Sequence, residues 1–285
     1  MTASIHTLSI KFNGFTGSIQ KEVKDCMKSG FFEESGITSS KINVNRLYGD
    51  IYKYSEFQTA LNTILLDAGV KDYRITRVDV RLDSYDKEHY KRYMKLNRII
   101  TSLLGTTYKT QNNYRCVDLF SNKQLSIAVK NDYFQIEHYD KNQQSQGRDK
   151  AKSRLELRSL KWNTTEDKLK DKFIAEWEHR LDKSVENYGK MQMRYNDELV
   201  QLFKQEMNKY PKRYNNLTGF LLQYQDCIFT KEQMIDLLKR FDEVSNPQNK
   251  EKNHRQKYGI DYYSKLDVLE AVEIIKRAVR AYFDS

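Results

Sequence analysis

Three short segments of the chain alternate charged or phenolic residues with apolar ones, at residues 74–83, 133–141 and 154–158. Alternate residues of a β-strand point to opposite faces, so each segment separates an apolar face from a polar one. If the three strands are neighbours with their apolar faces on the core, their polar faces together form an open, charged surface suited to phosphoryl transfer. The residues on that surface would be Arg77, Asp79, Arg81, Asp83, Gln135, Glu137, Tyr139, Lys141, Arg154, Glu156 and Arg158.

The acidic residues on this surface are candidate metal ligands, because carboxylate oxygens are the hard ligands that Mg²⁺ and Mn²⁺ prefer. Asp79 and Glu156 are the leading pair, and Asp83 and Glu137 are the alternatives for a further ligand. A metal held there would polarise a scissile phosphate and stabilise the leaving oxygen. The pattern therefore predicts a divalent-metal site.

Tyr139 is the candidate nucleophile of the same surface. A phenol with a pKa near 10 is ionised in only about one molecule in a thousand at pH 7, so it needs a metal or nearby cations to react. Lys141, two residues further along the strand, would supply positive charge and bind phosphate together with Arg81 or Arg158.

Each strand taken alone has a simpler explanation, because alternating charges are the usual pattern of a solvated strand face. His138 adjoins Tyr139 but lies on the opposite face of a regular strand, which predicts a packed or hydrogen-bonded core histidine. Most of the 20 tyrosines are more simply explained as core or surface-lining rings, among them Tyr48, Tyr54, Tyr90, Tyr93, Tyr188 and Tyr195.

In their order and composition, residues 76–83, 134–141 and 154–158 resemble the active-site blocks of rolling-circle replication initiators of small Gram-positive plasmids. They are also similar, more loosely, to replication endonucleases of filamentous phages and to relaxases of some integrative conjugative elements. In that group an Arg-x-Asp strand, a Tyr-x-Lys strand and an Arg-x-Glu strand carry the site. The resemblance covers these blocks and does not extend to the rest of the chain.

The resemblance implies that Tyr139 attacks one strand of an origin or transfer site, forming a 5′-phosphotyrosine link and freeing a 3′-hydroxyl that a polymerase can extend. It also implies that Asp79 and Glu156 help to hold Mg²⁺ or Mn²⁺ in a metal-dependent nicking and strand-transferring endonuclease. Its partners would be double-stranded and single-stranded DNA, with a host helicase and polymerase, and a homodimer is one option for its assembly. Initiators of this plasmid type often carry another carboxylate where this chain has Arg158, which leaves the third metal ligand open between Glu137 and Asp83.

Other reactions lack their sequence motifs. The five histidines show no His-hydrophobe-His spacing, which excludes the other well-known nicking architecture, and no GxxxxGK[ST] loop is present for ATP hydrolysis. Two non-catalytic alternatives stay open: a sequence-specific origin-binding initiator or regulator, and an RNA-binding or anionic-surface adaptor. The first would bind DNA without forming a covalent adduct, and the second would need base-stacking aromatic residues on an open sheet.

The composition favours a polyanionic partner, since the 285 residues carry a net charge of +10. The charge is spread over both halves of the chain.

The three cysteines, Cys26, Cys116 and Cys227, form no CxxC pair, which argues against a disulfide framework and a zinc ribbon. No segment has the pattern of a signal peptide or a membrane span. We therefore expect a soluble cytoplasmic protein with no membrane partner, and the resemblance implies a bacterial host.

The elements that must position these residues change character along the chain. Strand patterns occupy residues 5–12, 74–83, 125–130, 133–140 and 154–158, with a hairpin turn at Asn131-Asp132 and one helix from a cap at Ser84 to Gly105. Later residues show helical spacing over 169–207, with a bend at Gly189 and an end at Pro211. A second helix is predicted to begin at a capping box at Thr230, and a last helix is predicted over 265–283. Residues 245–254 are predicted to be an exposed loop. The fold class is α+β, an N-terminal antiparallel sheet with packed helices followed by a mainly helical C-terminal region.

A domain boundary is predicted near residue 165, between a nicking and strand-transfer domain at 1–165 and a helical DNA-binding or accessory region at 166–285. The polar loop at 140–153 is long enough to wrap a displaced strand beside Tyr139. The helical half supplies candidates for duplex phosphate contacts at Lys209, Lys212, Arg213, Tyr214, Lys250, Lys252, His254, Arg255 and Lys257. The residues predicted to bind DNA most directly are Arg77, Arg148, Lys150, Lys152, Arg154, Lys212 and Arg213.

Overall fold

The computed structural model describes residues 1–12, 32–35, 39–42, 51–67, 70, 72–86, 90–111, 114–120, 126–209 and 217–285. Several predictions concern residues outside these ranges, including Cys26, His89, Pro211, Lys212, Arg213 and Tyr214. Within the described residues, none of the helices combines the length and apolar character needed to cross a membrane.

The described residues form a sheet first and a run of helices afterwards. The strands are β1 (Thr2–Phe12), β2 (Phe32–Ser35), β3 (Ser39–Ile42), β4 (Tyr73–Ser84), β5 (Ser126–Lys130), β6 (Phe134–Asp140) and β7 (Ser153–Ser159). The helices are α1 (Tyr54–Asp67), α2 (Tyr90–Thr107), α3 (Cys116–Leu119), α4 (Lys141–Gln144), α5 (Leu169–Glu186), α6 (Tyr188–Lys209), α7 (Leu217–Gln223), α8 (Lys231–Lys239), α9 (Pro247–Tyr258) and α10 (Lys265–Phe283). Short 3₁₀ turns at Glu166–Lys168 and Gln225–Cys227 precede α5 and α8.

The seven strands form one antiparallel sheet in the order β2-β3-β1-β4-β7-β6-β5. The predicted α+β class, with a mainly helical C-terminal region, is confirmed. The last strand in sequence, β7, inserts between β4 and β6. Because of this insertion, the three segments with alternating charges are direct neighbours at the centre of the sheet.

Strand β1 contains a bulge that changes which side chains face the core. Ile5 pairs with Val80 and Thr7 pairs with Asp79, so His6 and Thr7 together oppose one residue of β4. Ile5 and Leu8 are both buried in the core although their spacing does not fit a regular two-residue alternation. Because the bulge adds one residue to β1, Ile5 and Leu8 can both face the core. It also leaves His6 and Thr7 beside the polar face of β4.

Helices from both halves of the chain pack on the apolar side of the sheet. Helix α2 comes close to β5 at Gly105, where an added Cβ would lie 3.4 Å from a methyl carbon of Val129. On α5, the Trp177 ring packs edge-on against Phe134 of β6 at a centroid distance of 5.9 Å. On α10, Phe283 lies 4.9 Å from Tyr54 of α1. One continuous hydrophobic core therefore joins the sheet to the later helices.

Helix α9 corrects the prediction of a loop at residues 245–254. Its two ends are well capped: the Asn246 side chain accepts a hydrogen bond from the amide of Asn249 at 3.0 Å, Pro247 occupies the first turn, and Gly259 adopts the left-handed conformation at the C-terminus. The segment has few apolar residues and was missed for that reason. Its helical form depends on these caps and on a small buried face rather than on a broad apolar stripe.

The hairpin and several helix ends lie within two residues of the positions that the sequence patterns predict. Helix α10 spans the predicted 265–283, and Thr230 caps α8 by accepting a hydrogen bond from the Gln233 amide. The break between α5 and α6 falls at Asn187, two residues before Gly189. The two-residue loop of the hairpin is Asp132 and Tyr133 rather than Asn131 and Asp132, because the Asn131 amide donates to the Phe134 carbonyl at 2.9 Å.

The predicted helix at 84–105 has different ends in the structure. Ser84 is the last residue of β4 and pairs with Ser153, so it is not a helix cap. Helix α2 continues past Gly105 to Thr107, and its buried face includes the predicted Leu96, Ile100 and Leu103. Gly105 therefore allows α2 to pack closely against β5 and does not end the helix.

His138 lies on the core side of β6, as its position in the alternation predicts, and is 1% exposed. Burial, with a smaller effect of the Arg98 charge, lowers the pKa of His138 to about 3. The imidazole is therefore neutral in the folded protein at neutral pH, whereas in the unfolded chain it titrates near its usual pKa of about 6.5.

Acid should destabilise the fold through His138. Below about pH 6.5 the unfolded chain binds a proton that the folded protein does not, so stability falls as the pH drops from 6.5 towards 3, by up to about 1.4 kcal/mol per pH unit. We expect His138→Gln to flatten the decline in the free energy of unfolding measured with urea between pH 6.5 and 5. The matched control is His179→Gln, which changes an exposed histidine on α5 and should keep the wild-type slope.

Candidate active site

The candidate site lies on the polar side of the three central strands, β4, β7 and β6. Across β4 and β7, Asp79 pairs with Arg158, Arg81 with Glu156, and Asp83 with Arg154. Across β7 and β6, Glu156 pairs with Glu137, and Arg154 pairs with Tyr139. Cross-strand pairs point to the same face, so the structure brings these predicted residues together on one surface.

This surface is buried, which corrects the expectation of an open face. Asp79 and Glu156 are each 2% exposed and Tyr139 is 6% exposed. Arg81, Asp83 and Arg154 are also buried. Opposite charges stand across from one another on neighbouring strands, and they pair with each other instead of extending into water.

Tyr139 donates a hydrogen bond from its hydroxyl to Oε1 of Glu156 at 2.6 Å. Burial and the negative charge of Glu156 raise the pKa of Tyr139, while Arg154 acts in the opposite direction. The phenol is thus held in its neutral form and oriented towards a carboxylate in this conformation. It has an acceptor for its proton at hydrogen-bonding distance.

Glu156 is the centre of the site's charge network. Its Oε2 accepts from Nη2 of Arg158 at 2.5 Å and from Nε of Arg158 at 3.1 Å. Burial alone would raise the pKa of Glu156, but the nearby Arg158 and His6, with the hydrogen bond from Tyr139, lower it to about 2. Glu156 is therefore ionised at neutral pH despite being buried.

Arg158 contacts three carboxylates at once. Besides Glu156, its Nη2 lies 2.6 Å from Oε2 of Glu137, and its Nε lies 3.7 Å from Oδ2 of Asp79. One guanidinium thus stands among three of the four predicted metal ligands. Its charge neutralises part of the repulsion that these carboxylates would otherwise exert on one another.

The remaining acidic residues also have arginine partners. Arg77 binds Asp79 through two hydrogen bonds, from Nε at 2.8 Å and from Nη2 at 2.6 Å. Arg154 binds Asp83 in the same two-bond arrangement, at 2.6 and 2.8 Å. Arg81, predicted to assist catalysis, donates from Nε to Oγ of Ser4 at 2.7 Å and lies 3.7 Å from Asp83.

The predicted metal ligands do not fit a metal ion in this conformation. Among the residues that the structure describes, no three His, Cys, Asp or Glu side chains come together as a group that could hold one. The oxygen donors are of the right chemical kind, but Asp79, Asp83, Glu137 and Glu156 are each engaged by a guanidinium. A cation could reach them only if arginine side chains moved away.

His6 belongs to this site and was missed by the sequence reasoning. Its charge interacts with Glu156, Arg81, Arg154 and Asp79, and burial lowers its pKa despite the opposing effect of Glu156. Its ring shares a hydrogen bond of 3.2 Å with the Thr7 hydroxyl. The signal that could have found it is the break in the apolar alternation between Ile5 and Leu8, which indicates a bulge.

Lys141 lies beside Tyr139 but not on the strand where it was predicted. Strand β6 ends at Asp140, whose side chain caps α4, and Lys141 is the first residue of that helix. Its Nζ is 5.7 Å from the centroid of the Tyr139 ring and 3.9 Å from Asp149. A helix start rather than strand alternation therefore places this positive charge next to the phenol.

The predicted DNA-binding residues occupy three different environments. Arg148 and Lys150 are exposed on the segment that follows α4, and Lys152 is half-buried beside them. Arg77 is half-buried on Asp79, and Arg154 is buried on Asp83. Lys212 and Arg213 lie outside the described residues. Of the described members of this set, Arg148 and Lys150 are thus the most exposed.

Comparison with known proteins adds little to this geometry. No protein-family model matches the chain, and no curated protein does. Among solved structures, a rolling circle replication initiator protein from Geobacillus stearothermophilus matches over 99% of this chain and 99% of its own, with a TM-score of 0.32 and 9% identity. A TM-score this low does not show a shared fold, so the function has to be inferred from the site.

Arg154 should be necessary for stability because Asp83 is almost fully buried. Arg154→Leu leaves that carboxylate without its two-bond partner, and we expect a loss of about 3 kcal/mol in the free energy of unfolding measured with urea. The double variant Asp83→Leu/Arg154→Leu removes both charges and should recover part of the loss. A single variant as stable as the wild type would contradict the pairing described here.

Proposed function

We propose that this protein is a rolling-circle replication initiator, or a relaxase, that nicks one DNA strand through Tyr139. The observation that carries the proposal is the short hydrogen bond between the Tyr139 phenol and Glu156, with Arg154 opposite Tyr139 in the register of β6 and β7. A potential nucleophile, a proton acceptor and a cation for phosphate thus meet at one point. This combination is what the attack of a phenol on a phosphodiester requires.

In the proposed step, Oη of Tyr139 forms a bond to the phosphorus atom, and the bond from phosphorus to the 3′ oxygen breaks. The phenolic proton passes to Glu156, and a proton returns from Glu156 through water to the departing 3′ oxygen. The products are a 5′-phosphotyrosine link and a free 3′-hydroxyl. Lys141, whose ammonium group lies 5.7 Å from the Tyr139 ring centroid, is placed to bind the phosphate.

The raised pKa of Tyr139 means that the phenol has to lose its proton during the attack rather than before it. Burial and the carboxylate of Glu156 both favour the neutral phenol, although the Arg154 charge acts in the opposite direction. Transfer of the phenolic proton to Glu156 during attack avoids forming two adjacent anions. We therefore assign Glu156 the role of proton acceptor, with Arg154 and Lys141 offsetting the negative charge of the phosphate.

We further propose that Arg158 competes with any divalent cation for the site. It occupies the space between Asp79, Glu137 and Glu156, so these carboxylates would act as ligands of Mg²⁺ or Mn²⁺ only after its guanidinium has left them. The metal expected from the resemblance would supply charge stabilisation at the phosphate when bound. No step above depends on it.

Helix α9 is the element best suited to hold duplex DNA. One narrow face, with Glu251 and His254, is buried, and Tyr262 donates to Glu251 at 3.1 Å. The exposed residues are all amides or cations, namely Gln248, Asn249, Lys252, Asn253, Arg255, Gln256 and Lys257. Such side chains bind phosphates and read base edges in the major groove, which admits an α-helix.

Tyr139→Phe should abolish the covalent reaction while leaving DNA binding intact. The substrate can be obtained by selecting duplexes from a random pool on the Tyr139→Phe protein and cloning them into a supercoiled plasmid. With Mg²⁺ or Mn²⁺ present, we expect wild-type protein to give nicked circles carrying bound protein, detected after denaturation. The phenylalanine variant should give none, because the attacking oxygen is absent.

The matched control for this experiment is Tyr133→Phe, which removes the hydroxyl of an exposed tyrosine in the hairpin loop. It should nick at the wild-type rate. Undiminished nicking by Tyr139→Phe would overturn the assignment of the nucleophile. Tight, salt-sensitive binding of the selected DNA by wild-type protein with no adduct would instead support the alternative, a non-catalytic origin-binding initiator or regulator.

Arg158→Gln should strengthen Mn²⁺ binding, because it removes the positive charge that stands among the carboxylates. We expect the variant to bind Mn²⁺ at least about tenfold more tightly than the wild type, a modest effect for removing one nearby charge. The measurement is the loss of the free Mn²⁺ signal in electron paramagnetic resonance. Arg180→Gln changes an arginine on α5, on the other side of the sheet, and should leave the affinity unchanged. Equal affinity in wild type and Arg158→Gln would contradict the competition.

A further inference from the structure

A large cavity opens at the end of the sheet where β4 finishes. Its volume is about 1180 Å³, and the described residues that line it come from the start of β1, the segment before α1, the residue after β4, and the end of α4 with the segment that follows it. This exceeds the roughly 300–1,000 Å³ of ordinary small-molecule pockets. The cavity is therefore large enough for a polymer segment, and its lining indicates which polymer.

Two tyrosine rings line the cavity with large exposed surfaces. Tyr52 is 39% exposed and Tyr85 is 41% exposed, and their hydroxyl oxygens are 3.1 Å apart. Other tyrosines, such as Tyr54, Tyr188 and Tyr195, are buried in the core. Exposed aromatic rings in a cavity offer a surface on which flat groups can stack.

The same cavity carries positive charge. Arg148 and Lys150 line it, and both are exposed. Asp149, between them, is engaged by Lys141 at 3.9 Å and by Arg154 at 3.5 Å, so its charge is directed towards the candidate active site. Aromatic rings beside exposed cations are the combination that binds single-stranded nucleic acid, in which the bases are free to stack.

The cavity adjoins the candidate active site at the same end of the sheet. Tyr139 pairs with Arg154, Arg154 pairs with Asp83, and Asp83 pairs with Thr2, which lines the cavity. One row of residues across four adjacent strands thus runs from the phenol to the cavity wall. A strand of DNA whose phosphate lies at Tyr139 would have its neighbouring nucleotides within reach of this wall.

We propose that the cavity binds the bases of single-stranded DNA next to the scissile phosphate. Tyr52 and Tyr85 stack on the bases, and Arg148 and Lys150 bind the backbone. Stacking needs a base released from the duplex, so the cavity selects a melted strand over a paired one. This inference rests on the proposed function, in that it places the substrate strand of the Tyr139 reaction.

The test measures binding separately from cleavage. Full-length protein carrying Tyr139→Phe is titrated into a fluorescein-labelled single-stranded DNA of mixed sequence, and its affinity is followed by fluorescence anisotropy. We expect Tyr52→Ala and Tyr85→Ala each to weaken binding about 5- to 100-fold, the usual effect of losing one stacking aromatic ring. The phenylalanine variants at both positions keep the rings and should bind as well as the parent protein.

Two controls make the result specific. Tyr133→Ala removes an exposed ring from the hairpin loop, outside the cavity, and should not change affinity. Duplex DNA of the same sequence should bind equally to the parent and to both alanine variants. Thermal unfolding of every variant shows that the fold is intact, and the phenylalanine variants provide a test even if an alanine variant is unstable.

The outcomes distinguish this inference from the proposed function. The inference would be overturned if the alanine variants bound single-stranded DNA as tightly as the parent protein. It would also be overturned if the variants lost affinity only for RNA of the same sequence. An equal loss of affinity in the phenylalanine variants would overturn it too. A loss confined to the alanine variants, together with no covalent adduct from wild-type protein, would support the cavity as a DNA site and overturn the nicking mechanism.

Discussion

Burying a carboxylate in a β-sheet is tolerated only when a cation is buried with it, and the centre of this molecule is organised by that constraint. Asp79, Asp83 and Glu156 are almost inaccessible to water, and each is bound by an arginine from its own strand or a neighbouring one. A slip of one residue between β4 and β7 would move these charges to the opposite face and into the apolar core. The ion pairs therefore tie the register of the central strands to the arrangement of the site.

The same pairing determines the chemical state of the site. Arg158 keeps Glu156 ionised, and the ionised Glu156 holds the phenol of Tyr139 neutral and oriented. Stability and the protonation state of the phenol are thus linked through one carboxylate. Any change in the charge of Tyr139 has to be balanced within this network, in which Arg154 already binds Asp83 and Lys141 lies beside Asp149.

Agreement between sequence and structure is best where a local rule decides the outcome. The two-residue period of β4, β6 and β7 correctly placed Asp79, Glu156 and Tyr139 on one face and His138 in the core. The sequence-based predictions were wrong where helix caps, rather than the spacing of apolar residues, determine the local structure. Lys141 begins a helix because Asp140 caps it, and α9 is helical because of its capped ends rather than its composition.

The sequence by itself determined the fold class, the faces of the strands and the ends of α10, because these follow from periodicity and capping among residues close in the chain. Only the tertiary structure decided which arginine each carboxylate takes and that Arg158 stands among three of them. It also decided that Tyr52 and Tyr85 meet in one cavity. These features depend on the order of strands in the sheet and on contacts between residues far apart in the chain, which no local pattern encodes.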